Sequence, residues 1–310
     1  MTKPLPPCIS VILSPPHPST ISLLSAILGS YPRALLTAAA MGTACATLSV
    51  IVVLRRWAFI GEGISHAGFG GIGTAWLLSI PFPIFGNSGA VYGIAILFCI
   101  AMALCIGYVA RERGNGEAFG PDTAIGIFLV ASLAWGFVAM RLAGKDSASW
   151  EKYLFGSIND ISTDTMLAGV AVSTAVVFAV AALFKEILYY AFDPLMAQVS
   201  GVRVTLLHYL LMLLLAMTIV VGMRIAGNVL VTALLVLPGA TALLLSRRLG
   251  VVMSISVIVG LIGCVGGLVI NHSLWPILPS GTPIVLVLFV EFVVAYVWSR
   301  ARILGTRHAE

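Results

Sequence analysis

Charged residues are scarce in this sequence: Asp, Glu, Lys and Arg together make up only 9% of 310 residues. A soluble domain of this length needs many more charged side chains on its surface, so the scarcity excludes the soluble classes of protein. Hydrophobic residues instead reach 60%, and the mean hydropathy is +1.07. Because lipid solvates apolar side chains over most of a helical bundle, this composition predicts an all-α integral membrane protein.

Motifs that would indicate other functions are also absent from the sequence. The sequence contains no GxxxxGK[ST] stretch, which excludes a P-loop for ATP. It also contains no HExxH stretch, so a zinc protease of that type is not supported. We therefore expect the chain not to be an enzyme and to bind no cofactor tightly. The cysteines form no CxxC pair, which argues against a disulfide framework or a thiolate metal site. They are Cys8, Cys45, Cys99, Cys105 and Cys264.

Apolar stretches of about 20 residues, the length that crosses a bilayer as a helix, recur along the chain. They predict a polytopic bundle of about eight or nine transmembrane helices. We expect residues 21–300 to form a single transmembrane domain. A Pro-rich leader over 1–20, disordered or lying on the surface, precedes this domain, and a cytoplasmic tail over 301–310 follows it. The approximate spans are 31–54, 59–80, 90–110, 123–140, 165–190, 205–223, 227–245, 251–270 and 283–299.

The distribution of Lys and Arg indicates how these spans are oriented. Eleven of the 17 basic residues follow the odd-numbered spans, and the other six lie on the opposite side together with the N-terminus. Cytoplasmic loops are enriched in Lys and Arg, so we expect the N-terminus outside and the C-terminus in the cytoplasm. This topology explains the excess of basic over acidic residues, which therefore does not indicate nucleic-acid binding.

Two ionisable residues interrupt the second span, in the stretch GEGISHAGFGGIGTAW at 61–76. A spacing of four places Glu62 and His66 on one helix face, with oxygen and nitrogen donors that converge on a common point and suit a divalent cation. A carboxylate inside a membrane must be protonated, paired or facing a wet cavity. We name Glu62 and His66 the polar pair. The pair either lines a path for a metal ion or holds helices together through hydrogen bonds, and the spacing leaves both alternatives open.

A stripe of small residues runs along the other side of the same span. Gly63, Ala67, Gly71 and Ala75 follow the small-xxx-small pattern, which lets a neighbouring helix approach closely. We therefore expect this small-residue stripe to pack the second span inside the protein, while the polar pair stays uncovered.

Residues 192–201, which we name the docking segment, predict a short cytoplasmic helix over 193–201. Asp193 is a good N-cap, Pro194 suits the first helical position, and Gly201 favours the end of a helix. An apolar ridge on this helix suits either a groove of another protein or the headgroup layer of the membrane. The ridge consists of Leu195, Met196 and Val199, and Phe192 precedes it.

Isolated polar residues occur in later spans and at span ends. Glu291 lies near the middle of the ninth span, and Arg224 and Asn228 flank the start of the seventh. We expect these three residues to be paired structurally. His208 and His272 lie at span ends, and we expect them to be interfacial.

Six segments of the sequence resemble, in the same order, the membrane permeases of metal-ion ABC importers, which take up zinc, manganese or iron. The resemblance covers residues from about 20 to 299. Within these permeases, the sequence resembles the ABC-3 type of membrane subunit. The segments are LRRWAFIGEGISHAGFGG (54–71), PDTAIGI (121–127), YLFGSI (153–158), FDPLMAQVSGV (192–202), GNVLVTALLVLPGATALLLSRRL (227–249) and LPSGTPIVLVL (278–288).

The resemblance implies a permease of the bacterial inner membrane that forms a homodimer or pairs with another permease. Its implied partners are a cytoplasmic ATPase, which docks on the segment from Phe192 to Gly201, and an extracytoplasmic solute-binding protein that delivers metal. ATP would act only through that ATPase. The resemblance also places Glu62 and His66 on the translocation path. Because the family more often has Asp at the position of Glu62, the preference among Mn, Zn and Fe does not transfer.

Three other functions remain open at this point. The first is an ABC permease for a metal chelate. Such a substrate needs a wide path, whereas the small-residue stripe and the polar pair of the second span suit a bare ion. A proton-coupled cation carrier would use Glu62 and Glu291 as proton sites. An intramembrane metalloenzyme would use Glu62 as base and His66 as ligand, but the sequence shows no further ligand cluster to support it.

Overall fold

In a computed structural model, the described residues are 32–110, 121–144, 163–273 and 279–307. They form eleven α-helices and a 3₁₀ turn at Pro83–Gly86, with no strand among them. The leader predicted for 1–20 lies outside the described residues. The helices are α1 (Pro32–Leu54), α2 (Ile60–Leu78), α3 (Ser88–Val109), α4 (Pro121–Leu142), α5 (Thr163–Ala182), α6 (Phe184–Phe192), α7 (Pro194–Val199), α8 (Val204–Ala226), α9 (Asn228–Leu245), α10 (Leu249–Ser273) and α11 (Gly281–Arg307).

Eight of these helices are long and apolar enough to cross a membrane. They are α1, α3, α4, α5, α8, α9, α10 and α11. Helix α2 has 19 residues, but it is less apolar because it contains Glu62, His66 and six glycines. Since every predicted span contains a described helix, the expected all-α bundle of about eight or nine transmembrane helices is confirmed.

One predicted boundary is wrong, and a second segment is more helical than expected. The span expected over 165–190 is interrupted at Leu183, whose backbone (φ −104°, ψ 21°) separates α5 from α6. Helix α6 carries the exposed Lys185 beside the buried Ile187 and Tyr190, a pattern typical of a helix that lies along a surface and does not cross. At the chain end, α11 continues to Arg307, so most of the expected tail is helical.

Helix α2 lies at the centre of the bundle, where it packs against α3, α4, α8 and α9. Of its 19 residues, 13 are buried. Helix α1 is a second central helix and packs against α5, α9 and α10. The short connection between α1 and α2 therefore joins the two central helices of the bundle.

Candidate functional site

Glycines let the neighbours of α2 approach until the backbones nearly touch. A Cβ atom at Gly71 would lie 2.7 Å from Cα of Ala95 in α3, and one at Gly73 would lie 2.8 Å from the carbonyl oxygen of Gly136 in α4. Any larger residue at these two positions would push whole helices apart, because the obstructing atoms belong to the backbone. This packing fixes the position of α2 and of the side chains that it carries.

The small-residue stripe lies within this packing. Ala67 and Ala75 are fully buried, Gly63 faces α4, and Gly71 faces α3. Gly68, which is outside the stripe, is in close contact with α8. Small residues therefore contact neighbours on several sides of α2, whereas the sequence pattern predicted one side.

Glu62 and His66 lie on the face of α2 that its neighbours leave uncovered. Over residues 60–73, these two are the only residues that are not buried. The side chain of Glu62 is 40% exposed and that of His66 is 16% exposed. Nδ1 of His66 lies 3.3 Å from Oε1 of Glu62 and 2.9 Å from the backbone oxygen of Glu62. The polar pair thus faces out of the single chain.

The contacts of His66 determine which ring nitrogen is open to a ligand. A backbone carbonyl oxygen can only accept, so Nδ1 donates its hydrogen to the carbonyl of Glu62. In a neutral imidazole, Nε2 then has no hydrogen and offers a lone pair. Among the described residues, no hydrogen bond uses this Nε2. Histidines that bind metals commonly have this arrangement, in which one ring nitrogen donates to a carbonyl and the other is the ligand.

The two donors of the polar pair do not converge on one point within a single chain. The ring turns Nδ1 toward Glu62, so Nε2 lies on the opposite edge of the imidazole. Within the described ranges, no group of three or more His, Cys, Asp or Glu side chains forms a metal cage either. Two separated donors suit an ion that passes the site, because a closed cage would retain it.

The polar residues of later spans have unexpected surroundings. Both carboxylate oxygens of Glu291 and Oδ1 of Asn228 are buried without a hydrogen-bond partner in the described part of the chain. Arg224 instead stacks its guanidinium over the ring of Tyr92, 4.1 Å from the centroid. Within the described residues, Glu291 and Asn228 Oδ1 therefore lack the structural pairing that the sequence suggested. Glu291 lies on α11, whose main neighbours are α9 and α10 rather than α2.

The sequence suggested that His208 is interfacial, but its side chain is buried. Its Nδ1 lies 2.7 Å from the hydroxyl oxygen of Tyr190 in α6, and its Nε2 lies 2.9 Å from the carbonyl oxygen of Gly107 in α3. Gly107 is 101 residues from His208 in the sequence and Tyr190 is 18 residues away, so the packing of α3, α6 and α8 brings the three residues together.

The short helix expected in the docking segment is present as α7. Oδ1 of Asp193 accepts hydrogen bonds at 3.0 Å from two backbone N–H groups of the first turn, which is the N-cap arrangement. Gly201 has φ +86°, and the N–H of Val202 bonds to the carbonyl of Ala197 at 3.0 Å. This left-handed glycine closes the helix at its C-terminal end. Both ends of α7 are thus fixed by local bonds.

The docking segment exposes large apolar side chains on this capped helix. Ala197 is fully buried and anchors α7 to the bundle, while four apolar side chains around it are each at least 60% exposed. They are Phe192, Leu195, Met196 and Val199. An apolar patch on a rigid helix is typical of a surface that binds another protein.

Comparison with known proteins gives a consistent assignment. The model of the ABC 3 transport family matches residues 21–299. The chain is 34% identical over 283 residues to the manganese transport system membrane protein MntC of Halalkalibacterium halodurans, covering 90% of this chain and 91% of that protein. It is 32% identical to a probable iron transport system membrane protein of Haemophilus influenzae, covering 87% and 94%.

The fold is also similar to that of a solved structure. A chain in the structure of PsaBC from Streptococcus pneumoniae in complex with Fab has a TM-score of 0.73 and is 30% identical. The similarity covers 90% of this chain and 95% of that one, so the arrangement of helices is shared over nearly the whole length of both.

Proposed function

The chain belongs to the ABC 3 transport family, and from this premise we propose that it is the membrane permease of an importer for Mn, Fe or Zn. The observation that carries the proposal is the polar pair, a carboxylate and an imidazole with an open Nε2 on the uncovered face of the central helix. Oxygen and nitrogen donors without a thiolate suit these divalent ions. Relatives named for manganese and for iron transport support the same range of substrates.

The docking segment binds a cytoplasmic ATPase in this proposal. The exposed apolar side chains of the capped helix α7 support this role. The chain's own sequence has no P-loop, so the partner hydrolyses ATP. Lys185 lies in α6, Arg203 follows the docking segment, and Arg55 contacts Tyr190 of α6. Because cytoplasmic loops are enriched in basic residues, these three side chains support a cytoplasmic position for this end of the protein. The N-terminus is then outside, where a solute-binding protein delivers the metal.

Two permease copies enclose the path in the inner membrane of a bacterium, with lipid around them. A second copy on the uncovered face of α2 shields the half-exposed Glu62 from lipid. It also brings an oxygen and a nitrogen donor to the same point, which one chain does not do. Nε2 of His66 in one copy can bind the same ion as the carboxylate of Glu62 in the other copy. A dimer in which the two polar pairs lie far apart and face lipid would contradict this arrangement.

ATP-dependent uptake into proteoliposomes tests the proposed function. The chain is reconstituted with its ATPase and its solute-binding protein, and Mn²⁺, Fe²⁺ and Zn²⁺ are supplied separately. We expect at least one of these ions to accumulate with ATP and to continue accumulating after a protonophore collapses the proton gradient. Uptake that needs the proton gradient but no ATPase would instead identify a cation carrier, and uptake of a metal chelate only would identify a chelate permease.

Replacing Met196 by Asp should weaken binding of the ATPase by about tenfold, because a charge then enters an apolar contact. The measurement is the amount of ATPase that co-purifies with the permease in detergent. Gln198→Asp is the matched control, since it adds the same charge to an exposed position of α7 without removing an apolar side chain. Equal co-purification of wild type and the Met196 variant would place the ATPase elsewhere.

A further inference from the structure

A cluster of four side chains lies behind the docking segment and belongs neither to the polar pair nor to the exposed face of α7. Tyr190 comes from α6, two residues before Phe192, and His208 comes from the first turns of α8. Arg55 and Trp57 come from the connection between α1 and α2. Tyr190, Trp57 and His208 are all buried. The cluster therefore joins both flanks of the docking segment to the chain that leads into α2.

Arg55 is held in this cluster by aromatic faces. Its guanidinium carbon lies 4.4 Å from the ring centroid of Tyr190 and 5.4 Å from that of Trp57. Its Nη2 also donates to the hydroxyl of Tyr190 at 3.3 Å. Among the described residues, no carboxylate forms an ion pair with Arg55. Cation–π attraction to the two rings therefore holds the guanidinium at this point.

The hydrogen bonds of His208 have a single consistent direction. The carbonyl of Gly107 can only accept, so Nε2 of His208 carries the hydrogen and donates it. Neutral Nδ1 then accepts from the hydroxyl of Tyr190, whose oxygen in turn accepts from Arg55. This chain of bonds fixes the end of α6 to α3 and α8, and it places Arg55 at the same point.

The connection from the cluster to the polar pair is short and ordered. The N–H of Trp57 bonds to the carbonyl of Val52 at 2.8 Å, and the N–H of Ile60 bonds to the carbonyl of Trp57 at 2.9 Å. Trp57 and Ile60 are both buried. Glu62 follows two residues after Ile60, in the first turn of α2. A displacement of Tyr190 against Arg55 and Trp57 therefore acts directly on the start of the helix that carries the polar pair.

We propose that Arg55 is a positioning residue that couples movement of the docking segment to α2, through its cation–π contacts with Tyr190 and Trp57. The proposal rests on the proposed function, because it requires the ATPase to bind at the docking segment. Arg55 touches neither the ATPase surface nor the metal in this account. Its loss should leave the subunits assembled and the ATPase active, while hydrolysis moves less metal.

The test measures metal uptake and ATP hydrolysis in the same proteoliposomes, with the ion that the wild-type complex accumulates among Mn²⁺, Fe²⁺ and Zn²⁺. Arg55→Gln should lower the amount of metal taken up per ATP by about fivefold or more, without changing co-purification of the ATPase. Arg55→Lys keeps a charge near the rings but loses the planar guanidinium, so its ratio should lie between those of Arg55→Gln and wild type. Arg56→Gln is the matched control, because Arg56 is the exposed neighbour of Arg55, and its ratio should equal that of wild type.

An unchanged ratio in Arg55→Gln overturns the inference while the proposed function stands. A wild-type complex without ATP-driven uptake overturns both. If Arg55→Gln fails to assemble, Arg55→Lys decides, since it keeps the charge in the cluster and replaces only the guanidinium that lies over the two rings. A lowered ratio in that assembled variant supports the coupling role, and a wild-type ratio refutes it.

Discussion

Replacing His66 by alanine is expected to abolish ATP-dependent metal uptake, with initial rates at least about 100-fold below wild type. Loss of a residue that only supports a metal ligand already costs about 10–100-fold, and here the nitrogen donor itself is removed. Glu62→Gln should have a comparable effect, because the amide oxygen carries no charge to attract the ion. The measurement is the initial rate of Mn²⁺, Fe²⁺ and Zn²⁺ uptake by the reconstituted complex.

His272→Ala provides the control for this prediction, since it removes an exposed histidine at the end of α10. That variant should transport at the wild-type rate. The amount of ATPase that co-purifies with each variant shows whether the complex still assembles. Normal uptake by the His66 and Glu62 variants would show that the polar pair only holds helices together.

Replacing Gly71 by leucine should destabilise the permease by about 3 kcal/mol or more, because an added Cβ would lie 2.7 Å from the backbone of Ala95. Neither helix can relieve this overlap by rotating a side chain. The measurement is the midpoint of thermal unfolding in detergent, together with the fraction of protein that elutes as a single species.

Gly93→Leu is the matched substitution for this comparison. Gly93 lies in α3, the helix that Gly71 contacts, yet a Cβ at Gly93 would have no atom within 4 Å. This variant should remain as stable as wild type or become slightly more stable, since leucine favours the helix over glycine. Equal destabilisation by the two substitutions would mean that close backbone packing does not hold α2 in place.

Local sequence signals predicted much of the fold. Runs of apolar residues located every described membrane helix, and Asp193 and Gly201 located the ends of α7, because capping depends on the nearest residues only. The break at Leu183 was missed because the apolar run continues through it. The amphipathic pattern of α6 indicates this break, because the exposed Lys185 and the buried Tyr190 lie on different faces of that helix.

The candidate site was predictable only in part. A spacing of four places Glu62 and His66 together on a helix whatever surrounds them. The orientation of the imidazole, with Nδ1 on the carbonyl of Glu62, depends on the side-chain conformation and could not be read from the spacing. The cluster around Arg55 was also missed, because Tyr190 lies 135 residues away in the sequence and only tertiary packing joins them.

The most direct test of a metal path at α2 is to change the donor at position 66 and to measure selectivity. In His66→Cys, the initial uptake rates of Zn²⁺ and Mn²⁺ are compared, with each ion delivered by the same solute-binding protein. A thiolate favours Zn²⁺ over Mn²⁺, so contact between the ion and residue 66 predicts a rise of about tenfold or more in the Zn²⁺ to Mn²⁺ ratio relative to wild type. A lower total rate with the wild-type ratio would contradict this account, since a residue that only supports the fold affects both ions equally.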